Sequence, residues 1–310
     1  MKAMRAANRN LVKELWHFVL HLRWHYQLFI LSGGFLLGGL LSSGLEIWSF
    51  IIQFLNVHLL LFGGATVYNS YWDKDEGPIG GLKHPPKIVP WMWGASLIFQ
   101  FIGFGIAIRE GVVFTGIYGS SMFFFWLYST PLARWKGHPI KSLVAIGVST
   151  GLNAVLMGYL AAGNSQLPFW VLVAALGASL LLLSLYPISQ IYQQDEDRKR
   201  GDRTFAVRYG KRGVERFFIG GFTSGLVLVA LAMGQSHVML SVLFGVVGLL
   251  ILIVVYQIIS SLDSTEGDYS TVMWIKYGTS LGFVCFLIAS IILKHIEIDG
   301  ISWVAKLLLE

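Results

Sequence analysis

Long apolar segments, separated by short polar connections, make up most of this chain. Each segment approaches the roughly 20 residues that a helix needs to cross the hydrocarbon core of a bilayer. The apolar runs are continuous and lack the alternation of half-buried strands, so they predict α-helices. Nine spans are expected, at residues 27–45, 47–68, 91–109, 112–129, 140–162, 168–190, 214–233, 237–260 and 273–293.

The segment before the first span has a different pattern. Residues 1–26 are polar, basic and aromatic, and their apolar positions follow helical spacing, which predicts an amphipathic arm on the membrane surface. His17, His21 and His25 are spaced by four, and we interpret them as histidines of an interfacial helix because no cysteine or carboxylate set accompanies them. The predicted organisation is completed by a nine-helix domain over 27–293 and a tail over 294–310.

Composition supports a polytopic membrane protein. Hydrophobic residues make up 55% of the 310, charged residues only 13%, and the mean hydropathy is +0.64. The charged share is about half that of soluble domains. The net charge of +6 requires no nucleic-acid partner, because cations in the loops account for it. Cys285 is the only cysteine, so no internal disulfide is possible.

The distribution of cations predicts the orientation. Counted over the nine expected spans, all of the 23 lysines and arginines except Arg109, Lys294 and Lys306 fall on the side of the N-terminus. Because cytoplasmic loops are enriched in lysine and arginine, the N-terminus is predicted inside and the C-terminus outside. Lys276 is counted in this scheme as a cation at the inner end of the last span.

Two polar stretches carry the candidate chemistry, and both fall in predicted cytoplasmic connections four spans apart. The first, residues 68–86, contains Asn69 and Asp73 four residues apart, followed by Asp75 and Glu76. The second, residues 193–210, repeats the offset of four. Its corresponding pair is Gln193 and Asp197. Residues four apart share one face of a helix, so each pair is predicted to point the same way.

These oxygen-bearing side chains favour Mg²⁺, which commonly binds through a few carboxylates together with substrate phosphates. We therefore predict a site for magnesium and a diphosphate, in which the metal improves the leaving group. Further cations are expected to contact phosphate. They are Lys83, Arg134, Lys136, Arg198 and Arg203.

Aromatic residues near the end of the fourth span suggest a substrate pocket. If the diphosphate left an allylic carbon, the resulting carbocation would need a dry cavity with aromatic faces. Phe125, Trp126 and Tyr128 are the candidates for that lining.

The two motifs together resemble the UbiA-type membrane prenyltransferases. The resemblance rests on Asn69-x-x-x-Asp73, on the pair ending at Asp197 and on the trailing sequence RKRGDRTFAVRYG, and it covers most of the chain. It implies an all-α ring of nine helices around a central cavity. It also implies Mg²⁺-dependent transfer of an isoprenyl group from a diphosphate to an acceptor, commonly an aromatic ring. Lys83, Tyr128 and Lys136 resemble further family positions.

Two departures from the family pattern leave the acceptor open. Gly77 stands where the first motif expects a second aspartate, and Gln193 stands where the second motif expects one. Either Asp75 or Glu76 is expected to replace the missing carboxylate, and Glu76 is favoured because an intact helical turn would keep it on the face of Asp73.

Two other functions compete with prenyl transfer to a separate acceptor. A terpene cyclase of the same architecture would let the ionised chain react with itself. A transporter would place its polar residues near the bilayer midplane, whereas these carboxylates lie at one membrane face. Expected partners are therefore an isoprenyl diphosphate, a small acceptor and membrane lipid.

Overall fold

The computed structural model describes residues 2–74 and 76–295, with side chains from residue 11 onward. Within these residues the chain is helical and connected by turns, and its extended pairing is limited to an isolated bridge between Ile79 and Leu82. The principal helices are α1 Lys2–Leu22, α2 Gly33–Leu41, α3 Ile47–Asp73, α4 Pro90–Glu110, α5 Val112–Ser129, α6 Pro139–Ala161, α7 Phe169–Ile191, α8 Gln194–Lys199, α9 Phe205–Gly234, α10 Val238–Ser261 and α11 Glu266–His295.

Among the described residues, eight helices are long and apolar enough to cross a membrane, namely α3 to α7 and α9 to α11. A bent pair, Leu11–Leu31 with Gly33–Leu41, whose two parts meet at 44°, gives a ninth crossing if the two parts form one span. The predicted all-α polytopic architecture is confirmed. The first span is not the single segment 27–45, because helix continues into it from the arm through a left-handed turn at Arg23, where φ is 48°.

Small residues allow the helices to approach closely. A side-chain carbon on Gly158 of α6 would collide with the carbonyl of Phe35 on α2, and one on Gly38 would collide with the backbone of α6. Such contacts are typical of helix pairs in membranes, where packing replaces the hydrophobic drive between helices. The tight seam between α2 and α6 belongs to the largest apolar core of the protein.

Three helices widen into π-helical turns beside the central cavity. The turns are Gln27–Leu31, Asn56–Phe62 and Gly147–Leu152. Ile30, Phe62 and Thr150 within them line the cavity. A π-turn holds an extra residue and changes the direction of the side chains that follow, which is why such turns recur at functional sites.

The polar connections meet at one end of the helices. Gln193 Nε2 donates to Pro78 O at 3.1 Å, Arg203 N donates to Gly137 O at 2.9 Å, and Tyr269 Oη donates to Ile79 O at 3.3 Å. The connections after α3, α5, α7 and α10 therefore form one polar cap, and this cap contains both polar stretches predicted to lie on one side of the membrane. The C-terminal tail, apart from Lys294 and His295, lies outside the described residues.

Candidate functional site

The last turn of α3 brings Asn69 and Asp73 to the mouth of the central cavity. The helix ends at Asp73 because Lys74 adopts a left-handed conformation with φ of 51°. Ser129 Oγ donates to Asn69 Oδ1 at 3.0 Å, which fixes the amide from the end of α5. The Asp73 side chain is only 6% exposed, so its carboxylate requires a cation nearby.

Those cations come from the turn between α5 and α6. Lys136 Nζ contacts the Asp73 carboxylate, and Arg134 Nη1 lies 4.0 Å from the same oxygen. Arg134 also holds Asp202 in a fork, with Nε at 2.9 Å from Oδ1 and Nη2 at 2.7 Å from Oδ2. The backbone of Arg134 is left-handed, with φ of 40°, a conformation that costs a non-glycine residue of order 1 kcal/mol. Arg134 thus connects the first acidic stretch to the second.

The second stretch folds as the short helix α8 and a turn through Gly201. Thr204 Oγ1 donates to Asp197 Oδ2 at 2.9 Å, and Asp202 N donates to Asp197 O at the same distance. Burial raises the pKa of Asp197 to about 6, while the hydrogen bond from Thr204 opposes this shift. A carboxylate whose charged form is destabilised by burial gains from a neighbouring cation.

A set of the residues singled out from sequence lies together on the central cavity. Its members are Asn69, Asp73, Phe125, Tyr128, Lys136, Gln193 and Asp197. Tyr128 Oη is hydrogen-bonded to Tyr186 Oη at 2.9 Å, which ties α5 to α7 across the cavity wall.

Other predicted residues lie elsewhere. Lys83 and Arg203 are exposed in the polar cap, and Arg198 is exposed and paired with Asp195 at 3.1 Å. Arg134 acts through its ion pairs and does not line the cavity. Trp126 faces α4, where its Nε1 donates to Gln100 Oε1 at 3.1 Å.

The structure also removes the reason for favouring Glu76. That argument required α3 to continue past Asp73, but the helix ends there, and Glu76 is exposed outside the cavity lining. Asp75, the alternative, lies outside the described residues.

The sequence analysis did not identify several residues that line the central cavity. Asp202 and Thr204 belong to the quoted second motif, and only the fold gives them partners. Arg23 is buried, donating from Nη1 to Gly80 O at 3.2 Å and from Nη2 to Ser70 Oγ at 2.7 Å. Lys276, expected at a membrane end, is instead a buried part of the cavity wall. No local pattern marks Arg23 or Lys276, because both are defined by distant contacts.

The central cavity, called the polar cavity below, has a volume of about 250 Å³. A second, apolar cavity of about 270 Å³ adjoins it. Six residues line both, so the two spaces share a wall. They are Ile30, Leu31, Thr150, Leu182, Leu185 and Ser280. The apolar cavity extends between α7, α9, α10 and α11, with Phe222, Phe244 and Phe283 in its lining.

The donor set fits a hard divalent cation shared with a ligand. Among the described residues no three His, Cys, Asp or Glu side chains cluster as a complete metal site. Asp73 and Asp197 instead reach one cavity together with the amides of Asn69 and Gln193. An ion such as Mg²⁺, which takes few protein ligands and completes its shell with phosphate oxygens and water, suits this arrangement.

Comparison with known proteins gives a consistent result. The model of the UbiA prenyltransferase family matches residues 28–275. A UbiA homolog from Archaeoglobus fulgidus, bound to GPP and Mg²⁺, superposes with a TM-score of 0.69 at 16% identity, over 89% of this chain and 99% of that one. A UbiA homolog from Aeropyrum pernix K1 gives 0.60 at 18%, over 87% and 98%.

A digeranylgeranylglyceryl phosphate synthase is also similar in structure. Its TM-score is 0.63 at 18% identity, and the superposition covers 90% of this chain and 99% of that chain. At such identities the likeness of these structures concerns the fold. No curated protein sequence matches the chain significantly.

Proposed function

Because this chain belongs to the UbiA prenyltransferase family, we propose that it transfers an isoprenyl group from an allylic diphosphate to a lipophilic or aromatic acceptor, with Mg²⁺. The observation that carries the proposal is the convergence of Asn69, Asp73, Gln193 and Asp197 with Lys136 on one cavity at the polar end of the helices. A UbiA homolog from Archaeoglobus fulgidus has been seen with DMAPP and Mg²⁺, and another state of it with GPP and Mg²⁺.

In this proposal the two oxygen pairs would hold Mg²⁺, which would in turn bind the diphosphate. Asn69 and Asp73 form one pair, and Gln193 and Asp197 form the other. Bound Mg²⁺ neutralises diphosphate charge and makes it a better leaving group. Lys136 holds a buried positive charge beside Asp73. Such a charge would stabilise the negative charge that develops on the departing diphosphate oxygen. Arg134 positions that turn through its fork to Asp202.

The adjoining apolar cavity supports the assignment of the isoprenyl tail. It shares six lining residues with the polar cavity, and its own lining is almost wholly hydrocarbon and aromatic. Phe125 and Tyr128, which line the polar cavity, would border the reacting carbon and exclude water from it. The tail would then extend away from the polar cap between α7 and α11.

The test is product analysis with purified protein, a series of allylic diphosphates and Mg²⁺. Prenyl transfer predicts diphosphate release and a prenylated acceptor, with release abolished by excess chelator and restored by added Mg²⁺. Cyclisation predicts a cyclic hydrocarbon or alcohol formed without an acceptor. Full diphosphate release in excess chelator would contradict the metal-dependent site.

One observation favours the cyclase. The apolar cavity could hold a donor chain that is folded upon itself. Transfer is favoured because the polar cavity also contains polar groups besides the carboxylates, including Lys276 and Ser189, which a hydrocarbon cyclisation does not require.

A further inference from the structure

Helix α1 of the N-terminal arm has two stripes of different chemistry. Its polar stripe consists of Glu14, His17 and His21. Its apolar stripe consists of Val12, Trp16 and Val19, which are 65%, 60% and 37% exposed. Glu14 follows Val12, and His21 follows Val19, by two residues, which is about 200° around a helix. The two stripes therefore face in nearly opposite directions, and the described residues leave the apolar one largely uncovered.

The polar stripe fastens the arm to the loop between α3 and α4, residues 76–89. His21 Nε2 lies 2.9 Å from Pro86 O. Arg23, directly after α1, donates from Nη1 to Gly80 O at 3.2 Å. These contacts join the arm to both ends of the loop, so a movement of the arm would displace the loop as well.

The same loop forms part of the wall of the polar cavity. Ile79 and Gly80 are among the residues that line this cavity. A side-chain carbon on Gly80 would lie only 3.2 Å from the ring of Tyr26, so the loop packs directly against the arm. The arm thereby supports one side of the cavity from outside.

The arm lies at the depth of a membrane interface. Phe18, on a third side of α1, packs against Trp91 with ring centroids 5.5 Å apart. Trp91 and Trp93 belong to the first turn of the crossing helix α4 and are 38% and 37% exposed. Exposed tryptophans at the start of a crossing helix are typical of the aromatic belt at the headgroup level. Because the polar stripe faces the polar cap, the apolar stripe at this depth faces the bilayer.

The charge of the arm suits a surface of anionic lipid. Residues 2–22 contain one acidic residue, Glu14, and four cations, which are Lys2, Arg5, Arg9 and Lys13. Basic residues near such a surface are attracted to its headgroups, and an amphipathic helix with this composition lies in the plane of the interface. A lipid surface therefore fits the uncovered stripe in depth, in polarity and in charge.

We propose that the apolar stripe of α1 docks into the lipid surface on the side of the polar cap, and that this docking holds the loop of residues 76–89 against the polar cavity. Withdrawal of the arm from the lipid would loosen the contacts of His21 and Arg23 with the loop. It would then open the side of the cavity that Ile79 forms. The arm thus couples the membrane surface to the wall of the cavity, whichever ligand the cavity holds.

The first measurement is the depth of the apolar stripe. A nitroxide label is attached to Val19→Cys or Lys83→Cys in a Cys285→Ser background, with one protein in each nanodisc of phosphatidylcholine and about one third phosphatidylglycerol. The label on Val19→Cys should be relaxed more strongly by oxygen, which partitions into lipid, than by a water-soluble nickel chelate. The label on Lys83→Cys, at an exposed loop position, should show the reverse.

Two results of this measurement would overturn lipid docking. A label on Val19→Cys that the nickel chelate reaches as readily as the label on Lys83→Cys would place the stripe in water. A label on Val19→Cys that is shielded from both reagents would show that protein, and not lipid, covers the stripe.

The second measurement is hydrogen exchange of the loop amides in the same nanodiscs. Trp16→Glu with Val19→Glu should accelerate exchange over residues 79–87 at least about threefold, because carboxylates are costly in the acyl region and the arm would withdraw. Both positions lie outside the lining of the polar cavity. Trp16→Leu with Val19→Leu is the matched control, because it keeps the stripe apolar, and it should exchange like the parent.

Unchanged loop exchange in the glutamate pair, or equal acceleration in the glutamate and leucine pairs, would overturn the coupling between lipid and loop. Neither measurement depends on turnover. Failure of the proposed function would therefore be a separate result, seen as a parent that releases no diphosphate from any allylic diphosphate.

Discussion

At the scale of single residues, three aspartates of this chain differ in what surrounds them. Asp73 is nearly buried against Lys136, and Asp197 is part-buried and accepts from Thr204. Asp195 is two residues from Asp197, yet its side chain is 85% exposed and pairs with Arg198 at the surface. An exposed ion pair of this kind contributes little, whereas charges preorganised in a cavity act strongly on a reaction.

We expect Asp73→Asn and Asp197→Asn each to lower turnover of an allylic diphosphate by roughly 10²-fold or more, equivalent to about 3 kcal/mol of lost stabilisation. The apparent requirement for Mg²⁺ should rise in both variants. Asp195→Asn should stay within about threefold of the parent. Steady-state rates over a Mg²⁺ titration provide the measurement, and equal losses in all three variants would contradict the assignment.

At the scale of elements, the N-terminal arm holds the loop that follows the first motif. Its side chains contact four backbone carbonyls of that loop. The pairs are His17 with Lys87 O at 3.3 Å, His21 with Pro86 O at 2.9 Å, Arg23 with Gly80 O at 3.2 Å and His25 with Gly81 O at 3.1 Å. The regularly spaced histidines therefore fasten a loop, and each is expected to donate a hydrogen bond to its carbonyl.

The double variant His21→Phe with Arg23→Met should open this loop. Trypsin cleavage after Lys83 or Lys87, both exposed, should become at least about threefold faster, because local opening controls proteolysis of a folded chain. Val12→Ala changes an exposed residue of the same helix and serves as the control. Unchanged cleavage in the double variant would show that other contacts hold the loop.

Helix α11 contributes Ser280 to the linings of both cavities. The larger side chain of Ser280→Phe should fill space where the two cavities adjoin. We expect kcat/KM for a twenty-carbon allylic diphosphate, relative to a five-carbon one, to fall about tenfold. Gly278→Phe, whose added side chain would meet open space outside both cavities, should leave this ratio unchanged. If Ser280→Phe reduced both substrates equally, the tail would not occupy the apolar cavity.

At the scale of the whole molecule, most lysines and arginines of the described residues lie at the end of the polar cap, whereas Arg109 and Lys294 lie toward the other end. The predicted orientation places the end of the polar cap in the cytoplasm, because lysine and arginine are retained on that side during insertion. The short turn between α9 and α10, which includes exposed Ser236, belongs to the opposite end.

Cysteine labelling in intact cells tests this orientation. In a Cys285→Ser background, Ser236→Cys should react with an impermeant thiol reagent, whereas Lys83→Cys should react only after the membrane is permeabilised. Labelling of Lys83→Cys from outside would reverse the topology. The Cys285→Ser parent is the control for background reaction.

The sequence by itself determined the class of fold, the approximate spans and the family, and it predicted the two oxygen-bearing pairs that the fold brings to one cavity. Spans are readable because each is a local run of apolar residues, and the motifs are readable because Asn69 with Asp73 and Gln193 with Asp197 share a helical offset. The family match over residues 28–275 confirms the resemblance that those motifs carried.

Only the tertiary structure decided which charged and polar side chains meet. Arg134 and Asp202 are 68 residues apart, and Lys276 and Tyr26 are 250 apart, so no local pattern predicts either pair. The expectation for Glu76 failed for a different reason, since a left-handed Lys74 ends the helix at Asp73. Periodicity reports how a segment faces its surroundings, whereas burial and pairing of a charge depend on residues that reach it from other helices.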